Sequence, residues 1–491
     1  MCKFATMKMK IVADFSRRNF FLMGMLLLSA CYLFFPSNNP SCDAINYAAN
    51  VKYATDLFWP HHLIHNAFHY CVYEFCGIFC SNIDAMALMN VVTALFAIAT
   101  LLVSWLILRH LTEESSAKAL VLLLGSCFGF MRYSVQCETY VIPIFFSVVA
   151  SYFFLRAVRD KKLLYALASG FMSVLACLFH QVQIFWTVGL FVGLLFSRQY
   201  RGSIVYVLTL LLIPAVYSLT LVFYDSGEWS VPNLLRYALS YYFTDSYSSA
   251  GIGWKSLIII PISFVRSVIQ VHGDFVILLK MCPWLYAMFL LLPIMVYLIF
   301  RMIRHGHKMV NDRLFGYVHF GIFAFQFAFA CFSDGNTEFM VMLPFAFAFG
   351  LASVYYMPAR SVAVLAGSLF IWNFCWAILP ENIYSYYNEN AVVDYIKCSH
   401  NVKFIAADEH TVENLYYYRY GEYADERIFG LGDEIPNSEY VTDIPDRPSP
   451  LNRNRVLNEM SADCFINAEP IGEIEADFGD YHLFDVQYSA K

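Results

Sequence analysis

The chain has 491 residues, of which 59% are hydrophobic, 18% aromatic and only 14% charged, with a mean hydropathy of +0.53. Soluble chains average roughly a quarter charged residues, so this composition excludes an ordinary soluble domain and requires a polytopic membrane protein. The formal charge of −6 hides an asymmetry, because from Asn382 onward 8 Lys/Arg face 21 Asp/Glu. A basic membrane part is joined to an acidic hydrophilic tail, and nothing basic and aromatic points to nucleic acid.

In chain order, the apolar stretches of near-bilayer length are 19–35, 87–109, 117–133, 139–157, 163–179, 183–197, 203–224, 279–301, 314–332, 338–356 and 361–379. Lys3, Lys8, Lys10, Arg17 and Arg18 precede the first stretch and place the N-terminus in the cytoplasm. The basic loops at 156–162, at Arg198 and Arg201, and at Arg301–Arg313 agree with that orientation if "SLIIIPISFVRSVIQV" (256–271) does not cross. We read that segment, with Pro261 and Arg266, as an interfacial or re-entrant helix. The expected fold is a polytopic α-helical bundle of about eleven spans, residues 1–381, with outer loops 36–86 and 225–278. Residues 382–491 then form a small extracytoplasmic α/β domain. In it, "AVVDYIKCS" and "HTVENLYYYRY" have helical patterns, and "VKFIAAD", "RIFGL", "DCFINAE" and "YHLFDVQY" read as strands around a Pro-rich loop, 441–454.

Most of the fourteen cysteines lie in apolar runs, where the thiol behaves as a small hydrophobe. Cys398 and Cys464 are the two in the tail and could pair on an oxidising side. The N-x-S/T triplet Asn39-Pro40-Ser41 is blocked by its proline, which fits a bacterial cytoplasmic membrane better than an endoplasmic reticulum.

Five polar constellations fall on the outer face under this orientation. Asp43 and Tyr47 are four apart on "DAINYAANVKYATDLF", where either Ser41 or Asp43 caps an interfacial helix or Asp43 is a chemical group. "FWPHHLIHNAFHY" spaces His61/His65 and His65/His69 four apart, the interval of metal ligands on a helix, yet also that of histidines lying amphipathically at headgroups. A divalent cation is therefore the one cofactor left open. "GFMRYSVQCETYVIP" carries Arg132, Glu138 and Tyr140, and ionisable groups at membrane depth are either functional or paired. "LFHQVQIFW" carries His180, and "FSDGNTEFMVMLP" carries Asp334, Asn336 and Glu338. Jointly, a carboxylate able to take a proton from an acceptor hydroxyl and cationic groups able to hold a departing phosphate suit group transfer at a membrane surface.

The motifs resemble those of the GT-C superfamily of membrane glycosyltransferases. "CDAINYA" looks like its first-loop acidic motif, "WPHHLIHNAF" like the histidine-rich element that follows, and "GFMRYSVQCETYVIP" like its Arg-Tyr-Ser…Glu-x-Tyr stretch. "GNTEFMVMLP" is similar to a late Glu-Phe…Leu-Pro element, with Phe339-Met340 where an aromatic pair is usual. The resemblance, over about residues 15–380, implies a polyprenyl-phosphate-linked sugar donor reached through the membrane lipids and a glycan, lipid or protein acceptor. It further implies Asp43 as general base, without the D-x-D or D-E pairing common there, and Glu138 as a second carboxylate. Arg132 or His180 would meet the donor phosphate, and Tyr47, His61, His62, Tyr140, Asn336 and Glu338 would line the binding site. The competing readings are a transporter or flippase of lipid-linked sugars, and a scaffold whose acidic tail recruits envelope enzymes.

Overall fold

The computed structural model describes residues 19–240, 254–271, 275–309, 311–333, 335–399, 402–424, 427–430, 438–443 and 465–488, together with 273 and 435. The N-terminal basic residues, Asp334 and Cys464 lie outside them. Two compact units emerge: one of residues 1–35, 57–69 and 90–378, the other of 36–56, 70–89 and 379–491.

The helices are α1 (Asn19–Phe34), α2 (Cys42–Tyr53), α3 (His65–Gly77), α4 (Ala85–Leu111), α5 (Glu114–Gly125), α6 (Phe128–Ser134) and α7 (Val141–Asp160). Then come α8 (Leu163–Phe179), α9 (Ile184–Phe196), α10 (Tyr200–Leu210), α11 (Leu212–Phe223), α12 (Val231–Ala238), α13 (Trp254–Arg266) and α14 (Phe275–Met281). The last are α15 (Leu291–His305), α16 (Arg313–Phe332), α17 (Leu343–Val354), α18 (Ala359–Asn373), α19 (Leu379–Ile383), α20 (Glu389–Cys398) and α21 (Glu409–Tyr420).

Among the described residues, seven helical stretches are long and apolar enough to cross a membrane: 85–111, 141–160, 200–223, 283–305, 313–332, 337–354 and 359–383. The bent pair α5–α6 is an eighth candidate, and 19–34, 163–179 and 181–196 are shorter apolar helices. Each corresponds to one of the stretches read from the sequence. The 13-residue α13, with Pro261 inside it, is not among them.

The α5–α6 bend of 64° has a specific cause. The amides of Phe128 and Gly129 leave the helical ladder and donate to the carbonyls of Val268 (2.8 Å) and Ser267 (3.0 Å), just past α13. Asn373, fully buried on α18, fastens the same junction. Its amide donates to Ser126 O (2.8 Å) and Val268 O (3.0 Å), while its oxygen accepts from Gln270 N (2.9 Å). An unmet backbone group in a bilayer interior costs several kcal/mol, so a break is tolerated only where such partners are supplied.

Elsewhere the bundle is closed by small residues and buried polar ties. A Cβ on Gly189 would stand 2.3 Å from Ile322, and one on Gly193 would stand 2.6 Å from Phe154, so α9 approaches α16 and α7 through two glycines one turn apart. The same three helices share a chain of hydrogen bonds. Trp186 Nε1 donates to Ser151 Oγ (2.8 Å), Ser151 Oγ meets His319 Nε2 (2.9 Å), and His319 Nδ1 meets its own helix at Phe315 O (2.9 Å). Beyond the start of α16, β1 (His307–Lys308) and β2 (Tyr355–Tyr356) form a two-stranded antiparallel ribbon.

In the second unit, β3 (Phe404–Ile405), β4 (Ile428–Phe429), β5 (Ser438–Thr442), β6 (Phe465–Ile474) and β7 (Tyr481–Tyr488) make a mixed sheet of order β4-β3-β5-β7-β6. β3 is parallel to both its neighbours, and the β5–β7 and β7–β6 pairs are antiparallel. Alternation sends Phe404, Tyr481 and Leu483 to the face shared with Val392, Ile396, Val412 and Tyr416 of α20 and α21. Ile405, Tyr440, Val486 and Tyr488 pack on the other face. The sequence reading assigned Val441–Thr442 to the Pro-rich loop. Instead they belong to β5, because Val441 N donates to Lys403 O (2.9 Å) and Thr442 Oγ1 to Ile405 O (2.8 Å). The proposed partner of the exposed Cys398 is one of the residues not described.

Candidate active site

At the end of the first unit where α6, α8 and α16 finish, polar side chains converge. α6 delivers Arg132 and Tyr133, and residues 135–140 return the chain to α7 with Gln136, Glu138 and Thr139 all buried. Tyr140 precedes α7, and its hydroxyl donates to Glu338 Oε2 at 2.7 Å. Asn336 caps the 3₁₀ turn Thr337–Met340: its oxygen accepts from Glu338 N (3.0 Å) while its amide donates to Glu338 Oε2 (3.1 Å). One carboxylate oxygen thus receives two neutral donors from two different parts of the chain.

The Tyr140 ring lies between Tyr133 (4.9 Å between centroids) and His180 (5.3 Å). Val182 N–H donates to His180 Nδ1 at 3.2 Å, so the neutral ring carries its proton on Nε2. Burial pushes the imidazole down to about 3, with His61 adding to the shift. His180 can therefore offer a hydrogen bond to a phosphate but not a positive charge. The permanent cations here are guanidiniums. Arg132 lies 5.9 Å over the Tyr133 ring and Arg266 5.6 Å over Phe128, and both act on the Tyr133 phenol together with Glu138 and Glu338. Arg266 was read from the sequence only as a charge in an ambiguous helix. An arginine inside "PISFVRSVIQ" was itself the signal, since ionisable groups in such segments mark functional positions.

The histidine element is anchored beside this cluster. Gln181 Nε2 donates to Pro60 O (2.9 Å), Tyr217 Oη (2.8 Å) and Ala238 O, and Gln181 N donates to His61 O (2.9 Å). His62 stacks on Trp59 and stands 6.3 Å from the His180 ring. The expected His61/His65 pair on one helix face is not formed. The chain at 59–64 turns tightly, with His62 N bonded to Trp59 O, and α3 begins only at His65. His65 and His69 do meet one turn apart, their rings tilted with centroids at 4.5 Å, and burial holds the rings of His62, His65 and His69 well below the ordinary imidazole range, His69 at about 4. Among the described residues no three His, Cys, Asp or Glu side chains are arranged to hold a metal ion.

The structure therefore brings together Arg132, Glu138, Tyr140, His180, Asn336 and Glu338, with His61 and His62 at their side. Asp43 and Tyr47 belong to the second unit. Ser41 caps α2, its hydroxyl accepting from Ala44 N (3.1 Å), so Asp43 is not the cap but an exposed first-turn residue, while Tyr47 is buried one turn later.

Residues 69–223 match the dolichyl-phosphate-mannose-protein mannosyltransferase family. No curated protein sequence matches the chain. In fold, the structure resembles ArnT from Cupriavidus metallidurans bound to undecaprenyl phosphate, at 11% identity and a TM-score of 0.54, over 94% of this chain and 97% of that one. It also resembles the Archaeoglobus fulgidus oligosaccharyltransferase in complex with zinc and sulfate, at 12% identity and a TM-score of 0.50, over 87% and 68% of the two chains. The Arg-Tyr-Ser…Glu-x-Tyr segment lies inside the matched residues, and the fold around it is similar to that of these two membrane enzymes.

Proposed function

We propose that this enzyme moves a hexosyl or pentosyl unit from a polyprenyl-phosphate donor to a glycan, lipid or protein acceptor at the outer surface of a bacterial cytoplasmic membrane. The observation that carries this reading is the gathering of Arg132, Arg266 and Glu338 around Tyr133, with Glu338 held by Tyr140, at one end of an apolar bundle. A phosphate tethered to a polyprenyl chain needs positive charge at the edge of the hydrocarbon, which two guanidiniums supply.

In the reaction, the acceptor hydroxyl gives its proton to a carboxylate while its oxygen bonds to the anomeric carbon. The bond from that carbon to phosphate oxygen breaks, and polyprenyl phosphate leaves with the electron pair. By the superfamily resemblance Asp43 is the base. Arg132 and Arg266 neutralise the leaving phosphate, His180 Nε2–H donates to one of its oxygens, and Glu138 orients polar groups of the substrate. The basic N-terminus and the loops at 156–162 and 301–313 support a cytoplasmic N-terminus and an extracytoplasmic tail.

Comparing the lipid-linked and envelope glycans of a deletion strain with its parent identifies the product. Asp43→Ala and Arg132→Ala should each leave a folded protein that does not restore it. Full restoration by both variants would reject the reading, and a protease-sensitive tail in inverted vesicles would reject the topology.

A further inference from the structure

The helix that carries Asp43 is built into the C-terminal domain. α2 and α21 lie side by side with their N-termini at the same end. There, Asn414 Nδ2 donates to Cys42 Sγ (3.1 Å) and reaches the Cys42 carbonyl (3.4 Å), and Asp408 and Thr411 act on the same thiol. At the other end Lys52 Nζ and Tyr53 Oη both donate to Tyr418 O (2.8 and 3.0 Å), and Thr55 Oγ1 meets Tyr417 Oη (3.1 Å). Ala44, Ala48 and Val51 are buried, which lets two helices approach closely. Gly421 closes α21 at φ +73°, where an added Cβ would also come within 3.0 Å of the Tyr53 ring. The strand of chain before α2 is tied in as well: Asn39 Nδ2 donates to Glu381 O (3.1 Å) and Tyr384 O (2.8 Å), and Asn39 Oδ1 accepts from Tyr386 N (2.8 Å).

A first helical turn has few internal bonds and frays readily. Asp43 sits in such a turn, exposed, and Asn414 grips the residue immediately before it. We propose that the C-terminal domain is the scaffold that positions the acceptor-activating base, with Asn414 as the positioning residue for the first turn of α2. This rests on the reading of Asp43 as base. It gives the domain a part in the chemistry although most of its residues lie more than 340 positions from Asp43 in sequence.

The test uses the full chain in the deletion strain, with restored envelope glycan as product, membrane levels matched by immunoblot, and melting temperature measured in detergent. Asn414→Leu should lower product about tenfold, the worth of one or two net hydrogen bonds, at unchanged protein level and melting temperature. It should also speed alkylation of Cys42 by N-ethylmaleimide. Asn414→Gln, which keeps the amide, should recover part of the loss. The isosteric Asn414→Asp, which loses the donor without changing shape, carries the same expectation should the leucine variant accumulate poorly. Wild-type product from Asn414→Leu or Asn414→Asp, with none from Asp43→Ala, overturns the positioning role alone. Wild-type product from Asp43→Ala overturns the base on which it rests.

Discussion

The buried carboxyl of Asp443 makes the stability of the C-terminal domain fall as pH rises, and the size of the effect can be worked out. Asp443 follows β5 directly, accepts from Ala407 N at 2.8 Å and is bonded by the Tyr387 hydroxyl, yet it is 2% exposed with no cation among its named partners. Burial pushes its carboxyl up to about 7 from 3.8. Between those values the unfolded chain loses the proton while the folded chain keeps it. Stability is therefore complete below about 3.8, falls by up to about 1.4 kcal/mol per pH unit, and stops falling above 7. The whole window amounts to about 4 kcal/mol, of which about 2 kcal/mol falls between pH 5 and pH 7. Hydrogen exchange of the full chain in detergent reads this at the Ala406 and Val441 amides, which are bonded to Phe429 O and Lys403 O. Their opening free energies, corrected for intrinsic exchange, should be about 2 kcal/mol higher at pH 5 than at pH 7. Asp443→Asn keeps an acceptor for Ala407 N and removes the titrating proton, so its profile should be flat. Equal slopes in wild type and variant would refute the assignment.

Tyr140→Phe deletes the 2.7 Å bond to Glu338 and should cut product formation about ten- to a hundredfold without unfolding the protein; a wild-type yield would show that Glu338 needs only Asn336. Ser151→Ala strands both Trp186 Nε1 and His319 Nε2 inside the bundle, and should lower stability by about 2–3 kcal/mol, read as a drop in the detergent melting temperature. His180 is held neutral, so the stability its burial confers is present above 6.5 and is lost as pH falls toward about 3. His180→Gln should make that acid limb shallower in a melting-temperature series, with His62, His65 and His69 keeping their share of it, and the pH profile of transfer in wild type should show no step between 6 and 8 that His180→Gln removes.

Which features the sequence announced follows from the range of the forces that fix them. Span positions depend on local hydrophobicity, and each apolar stretch became a helix. The α5–α6 bend depends on carbonyls at Ser267 and Val268 and on Asn373, more than 130 residues further along, and no local pattern encodes such a partner. Arg266 was visible as a charge in a greasy helix, but its place beside Tyr133 follows from that same docking. The interval between His61 and His65 suggested one continuous helix, yet the turn bonds at Trp59–His62 and the grip of Gln181 on Pro60 and His61 took precedence. β5 was missed because five residues behind an acidic, Gly- and Pro-containing stretch of sequence carry little alternation. It is the parallel pairing with β3 that makes them a strand. Asp43 stands out in the sequence by its motif, whereas the helix bonded to the residue before it is drawn from residues 409–420.

An ionisable side chain inside a bundle ordinarily marks a path for an ion or a substrate, and His319 invites that reading. Its bonds argue against it. Nδ1 is committed to the carbonyl of Phe315 one turn back on the same helix, Nε2 to Ser151, and Ser151 in turn to Trp186, whose indole nitrogen can only donate. The chain of bonds ends there, on a residue that cannot pass a proton onward, and its effect is to lock α7, α9 and α16 together. Gln326, the other buried polar group of α16, donates to Phe339 O, in the turn that also carries Glu338. The polar groups within the helices thus brace the bundle behind the site. The charges of the candidate site, on Arg132, Glu138, Arg266 and Glu338, stand at its end, where the proposed transfer from a lipid phosphate needs them.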